Sequence, residues 1–144
     1  MITDTNFIAV IAIDFDGTIC ENQYPDIGPL RGAAAVIINA LYDLGYGILI
    51  NTCRTGQFEQ NARDFLALHG IKYHLINENF QHLIDLYDSD SRKLSADVYI
   101  DDKCLQWTSP TWTEKFLMIE TKFRHNPEWM EKQRLISEKL TSKS

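Results

Sequence analysis

Seven consecutive apolar residues, Phe7 to Ile13, run straight into Asp14-Phe15-Asp16-Gly17-Thr18-Ile19. An apolar run without polar alternation predicts a strand over about 7–14 buried on both faces, as in the centre of a parallel sheet. A turn-rich stretch follows, Gly17 to Pro29, that reads as a loop able to fold back as a short hairpin over the strand end. Leu30, Ala34, Ile37, Ile38 and Leu41 then fall on one helical stripe, predicting a helix over 30–44 stopped by Gly45 and Gly47. Ile48-Leu49-Ile50 predicts a second buried strand, ending at Asn51-Thr52-Cys53-Arg54. Phe58, Ala62, Phe65, Leu66 and His69 share the face of a second helix. A third strand is expected at 73–76, a short helix around Phe80 to Tyr87, and a fourth strand at Val98-Tyr99-Ile100, ending at Asp101-Asp102. Ser109-Pro110 and Asn126-Pro127 carry helix-start signals, so two C-terminal helices are expected over 110–123 and 127–140, with an edge strand at 116–119 as the competing reading of the first.

Strands alternating with helices imply right-handed βαβ units. The fold class is therefore α/β: a three-layer α/β/α, Rossmann-like parallel sheet with a helical C-terminus. One domain over 1–144 is expected, with a core at 7–105 and a C-terminal helical extension at 109–140.

Composition narrows the function classes. The 144 residues carry 14 Lys and Arg against 20 Asp and Glu, for a net charge of -6, which argues against nucleic acid and anionic membranes as general partners. No apolar run has the length of a spanning helix. The first residues lack a basic stretch and a cleavage signal, and the three cysteines form no CxxC, so a reducing cytoplasm is the expected compartment.

Parallel strands present their carboxyl ends at one edge, where open α/β sheets bind ligands. Asp14, Asp16, Thr52, Asp101 and Asp102 all fall there, and Lys93 lies in the loop entering the fourth strand. Close carboxylates repel one another unless a cation sits between them, and an all-oxygen set suits a hard one such as Mg2+. A hydroxyl and an ammonium beside that cation suit a bound anion, with phosphate the natural candidate.

This order of residues resembles the haloacid dehalogenase superfamily, and in particular its phosphatases. Asp14-Phe15-Asp16-Gly17-Thr18-Ile19 is similar to the first motif, Thr52 to the second, Lys93 to the third and Asp101-Asp102 to the fourth. The resemblance implies a Mg2+-dependent phosphomonoester hydrolase. Asp14 is then the nucleophile, giving an aspartyl-phosphate, and Asp16 the proton-transfer group. It also implies Asp14, the Asp16 backbone carbonyl, Asp101 and Asp102 as metal ligands, Thr52 and Lys93 on the phosphoryl group, and Thr18 orienting Asp16. Arg54 is a further candidate for substrate binding.

Many members of the superfamily insert a cap domain after the first strand or before the last acidic one. The intervals here, 17–29 and 77–97, are too short, so a capless protein with an open crevice is expected. An open crevice takes a large phosphorylated substrate, or a small one if a second subunit, the loop from Glu21 to Pro29 or the C-terminal helices close it. Phosphoryl transfer to a second acceptor, as in a mutase, asks for a closed site. Carbon–halogen hydrolysis needs no metal. A receiver domain places its Asp on the third strand, where this chain has Ile76-Asn77-Glu78. A catalytically silent binding module of the same fold is the alternative outside the enzymes.

Overall fold

The computed structural model describes residues 6–87, 94–101 and 110–142. The elements run β1 (Val10–Asp14), β2 (Cys20–Gln23), β3 (Asp26–Leu30), α1 (Ala34–Leu44), β4 (Gly47–Asn51), α2 (Gly56–Leu68), β5 (Leu75–Ile76), α3 (Gln81–Tyr87), β6 (Val98–Ile100), α4 (Trp112–Lys122) and α5 (Pro127–Ser142).

β1, β4, β5 and β6 form one parallel sheet in the order β5-β4-β1-β6. The period of two along each strand sends alternate residues to opposite faces. Ile11 and Ile13 of β1 join Ile48 and Ile50 of β4 on one face, under Ile38 and Leu41 of α1, Leu66 of α2 and Ile119 of α4. Val10, Ala12 and Leu49 point the other way, onto Phe7, Phe80 and Leu94, with Leu83 of α3 packed against them. Helices therefore flank a parallel sheet in a Rossmann-like α/β arrangement. Among the described residues no helix is long and apolar enough to cross a membrane.

The structure departs from the sequence reading at element boundaries; the first strand, expected over about 7–14, is Val10–Asp14. The first helix begins at Ala34, not Leu30, because Leu30 pairs with Cys20 in the β2–β3 ribbon and the chain then turns at Gly32 (φ 51°). Leu30 thus fits the helical stripe in sequence yet belongs to a strand. The third strand shrinks to Leu75–Ile76, although His74 N–H donates to the Ile48 carbonyl and Asn77 N–H to the Ile50 carbonyl, both at 2.9 Å. Residues 116–119 lie in α4, the helix expected over 110–123, and not in the competing edge strand. The Thr111 side chain caps that helix by accepting from Glu114 N–H at 3.1 Å, and Ser109 lies outside the described residues.

α5 is anchored to the start of the central strand. Trp129 Nε1 donates to the Ile8 carbonyl at 2.7 Å and its ring meets Phe123 edge-on at 4.8 Å. Burying the indole while pairing its N–H is the condition under which a Trp stabilises a contact.

Candidate functional site at the carboxyl edge of the sheet

Register sets the site. Asp14 pairs with Asn51, and Ile13 with Ile100. Thr52 therefore stands one residue past the partner of Asp14, and Asp101 stands across from Asp14 on the other neighbouring strand. Asp14 is half-buried and Asp101 exposed.

Past Asp14 the chain closes a tight turn. The Phe15 carbonyl accepts from the N–H groups of Thr18, Ile19 and Cys20, at 3.2, 3.0 and 3.4 Å. Gly17 sits at φ 84°, a conformation that costs glycine little and other residues more. The turn brings Thr18 back over Asp14, so the Thr18 hydroxyl donates to Asp14 Oδ2 at 3.4 Å. The expectation that Thr18 orients Asp16 is corrected accordingly.

Asp16 is held by Arg54. Nε and Nη2 of Arg54 donate to the two Asp16 carboxylate oxygens at 2.8 and 2.7 Å. Nη1 donates to the Pro25 carbonyl at 3.0 Å and Nη2 also to the Asp26 carbonyl at 2.9 Å. The side chain is 1% exposed, with its guanidinium 5.6 Å from the Phe15 ring centre and 5.0 Å from that of Tyr24. Its hydrogen bond to Asp16 outweighs burial and raises its already high pKa. Arg54, expected as a substrate-binding candidate, directs these donors at Asp16 and at the Pro25 and Asp26 carbonyls. The guanidinium faces inward, where it satisfies a carboxylate and two carbonyls at the β2–β3 ribbon. That ribbon, predicted as a loop able to fold back, is an antiparallel hairpin in contact with α2.

Thr52 is buried. Its hydroxyl oxygen accepts from Arg54 N–H at 3.1 Å, and its N–H donates to Asn77 Oδ1 at 2.8 Å. Accepting one bond leaves a hydroxyl its own proton to donate. Asn77, at φ 55° past the end of β5, is a site residue that the sequence reading missed. Its position at the end of a third parallel strand, in a residue type that tolerates that conformation, was the available signal.

The structure thus gathers Asp14, Asp16, Thr18, Thr52, Arg54, Asn77 and Asp101 along one sheet edge. Lys93 and Asp102 lie outside the described residues. Among the described residues no three His, Cys, Asp or Glu side chains form a group that could hold a metal ion. The donor chemistry still suits a hard cation. Asp14 and Asp101 supply carboxylates, and with the Asp16 side chain turned to Arg54, no described hydrogen bond ends on the Asp16 backbone carbonyl. All of these donors are oxygen.

The sheet and its edge define a Rossmann-like α/β protein with polar side chains gathered at the carboxyl ends of its central strands. The chain belongs to the same family as a conserved protein of Bacteroides thetaiotaomicron whose solved structure is 30% identical over 79% of this chain and 91% of that one, with a TM-score of 0.70. A chain from a Pnkp1/Rnl/Hen1 complex is 17% identical over 81% of this chain and 36% of that one, at a TM-score of 0.43, a likeness too loose to bear on function. No protein-family profile and no curated protein matches the chain.

Proposed function

We propose that the protein is a Mg2+-dependent phosphomonoester hydrolase of the haloacid dehalogenase type, working through an aspartyl-phosphate on Asp14. The observation that carries this reading is the register that sets Asp14 beside Thr52 on one strand and Asp101 on the other.

Thr18 holds one Asp14 oxygen, so the carboxylate is oriented before substrate arrives. Attack on phosphorus forms the Asp14–phosphate bond as the bond to the leaving oxygen breaks, and that oxygen takes a proton from solvent water to depart as the alcohol. The Thr52 hydroxyl, anchored by Arg54 and Asn77 through the backbone, donates to a phosphoryl oxygen. Asp16 is presented as a carboxylate clamped by Arg54, the form that takes a proton from the water that hydrolyses the intermediate. The Asp14 carboxylate, the Asp16 carbonyl and Asp101 would hold Mg2+, with Asp102 the fourth candidate. That ion supplies neutralisation of the repulsion between carboxylate and phosphate dianion. Lys93, by the same resemblance, stabilises phosphoryl charge. The β2–β3 hairpin is the element of this chain best placed to shape the crevice in the absence of a cap. A second subunit is the other means of closing it.

One observation favours the silent binding module: both side-chain oxygens of Asp16 are taken up by Arg54. Hydrolysis of p-nitrophenyl phosphate with Mg2+, beside Asp14→Asn, separates the two. Turnover that falls by about a thousandfold or more in the variant supports the hydrolase, since nucleophile loss removes the covalent route. No turnover on any phosphoester, with Mg2+ still bound, selects the module.

A further inference from the structure

A cavity of about 310 Å³ opens beside the site, lined by Arg31, Gly32, Ala33, Thr111, Trp112 and Lys115 among others. Arg31 connects it to the reaction centre, because Arg31 Nη1 donates to the carbonyl of Gly17, the residue after Asp16. A second cavity, about 270 Å³, shares Lys115 and Pro110 with the first and reaches Asp101. Lys115 and Pro110 thus stand between the cavity that Arg31 lines and the one that Asp101 lines.

Two cations line the first of these cavities in a protein whose net charge is -6. The Lys115 ammonium rests 4.6 Å from the Trp112 ring centre and makes no ion pair with a carboxylate among the described residues. Arg31 Nε pairs with Glu21 Oε1 at 3.7 Å, an exposed ion pair longer than a hydrogen bond and weakly held. Burial first, then repulsion from Arg31, pushes the Lys115 ammonium below its ordinary pKa. Two like charges sharing a partly desolvated cavity repel each other, and an anion between them turns that repulsion into attraction. A molecule lying across both cavities would meet this pair at one end and Asp101, which stands across from Asp14, at the other.

We propose that Arg31 and Lys115 form a second anion subsite, and that the substrate is a small phosphomonoester carrying a second phosphate. The substrate half of this statement rests on the hydrolase reading; the anion subsite does not. One phosphate is cleaved at Asp14 while the other is held between Arg31 and Lys115. The subsite gives an open, capless crevice a means of selecting its substrate.

The test uses the Asp14→Asn protein, which holds substrate without consuming it. Backbone amide resonances are followed by nuclear magnetic resonance during titration with inorganic phosphate, then with a hexose monophosphate and a hexose bisphosphate. The amides of Gly32, Ala33 and Thr113 are expected to shift with phosphate. The bisphosphate is expected to bind at least about tenfold more tightly than the monophosphate, the usual worth of one added charge-assisted contact. Lys115→Gln is expected to abolish that advantage and the cleft shifts, and Lys115→Arg to restore both. Unchanged resonances elsewhere verify the fold of each variant. Cleft amides that do not move, or that move equally in Lys115→Gln, overturn the subsite. If the cleft responds as expected while no phosphoester is hydrolysed, the subsite stands and the hydrolase reading falls. Hydrolysis with a silent cleft overturns the subsite alone.

Discussion

Arg54 grips both carboxylate oxygens of Asp16, at 2.8 and 2.7 Å, from a position 38 residues further along the chain. The same guanidinium holds the hairpin carbonyls of Pro25 and Asp26, so one side chain ties the turn after β1, the end of β4 and the hairpin together. Arg54 is 1% exposed and Asp16 18%. Removing one partner leaves a buried charge without its counter-ion, which costs about 3–5 kcal/mol. Arg54→Ala should lower unfolding stability in urea by that amount, and Arg54→Lys should recover only part, since an ammonium lacks the fork. A double-mutant cycle with Asp16→Ala should show coupling of at least about 1 kcal/mol. Additive losses would mean that the pair contributes nothing beyond its separate parts.

The hairpin depends on Gly28. A Cβ there would stand 2.5 Å from the Glu21 carbonyl oxygen and 2.8 Å from the Glu21 Cβ, both fixed parts of the paired strand. Gly28→Ala should therefore force β2 and β3 apart, at a cost of about 1–3 kcal/mol. Amide exchange should accelerate in the hairpin while β1 and β4 keep their protection. Unchanged hairpin exchange would show that the ribbon absorbs the methyl group without opening.

A buried pair far from the site makes stability depend on pH at both extremes. The Tyr46 hydroxyl donates to Glu120 Oε2 at 2.9 Å, and Arg124 Nε donates to the same carboxylate at 2.9 Å. Burial pushes the Glu120 carboxyl up, but the bonds from Arg124 and Tyr46 outweigh it and hold it below its ordinary 4.5. Its contribution is full above pH 4.5 and is lost as pH falls through the depressed folded value. Burial, with the bond to Glu120, raises the Tyr46 phenol above its ordinary 10.0. Its contribution is full below pH 10 and is lost as pH rises toward the raised folded value. Glu120→Gln should flatten the acid limb of the stability profile and Tyr46→Phe the alkaline limb. Profiles unchanged in slope would refute these linkages.

The two described cysteines should differ in reactivity. Cys20 is buried, its thiol donating to the Phe15 carbonyl at 3.8 Å, and burial followed by the Asp16 charge pushes it up to about 11. Cys53 is exposed. In a Cys104→Ser background, thiol titration at pH 8 should modify one equivalent quickly and the second only in denaturant. Fast modification of both would place Cys20 within reach of solvent.

The comparison between sequence and structure divides along a physical line. The apolar runs Phe7 to Ile13 and Ile48 to Ile50, without polar alternation, read as strands buried on both faces, and they form the body of Val10–Asp14 and Gly47–Asn51. The sheet, and the edge at which Asp14, Thr52 and Asp101 emerge, were therefore legible in the order of residues alone. Leu30 was misread because helical spacing is a local property and its pairing with Cys20 is not. The partners within the site depended on the tertiary structure. Thr18 turning to Asp14, Arg54 turning inward to Asp16, Asn77 bracing Thr52, and Arg31 and Lys115 lining one cavity all follow from how separate elements pack. Sequence periodicity reports which face of an element is buried; it carries no information about which polar group, tens of residues away, will satisfy a buried charge.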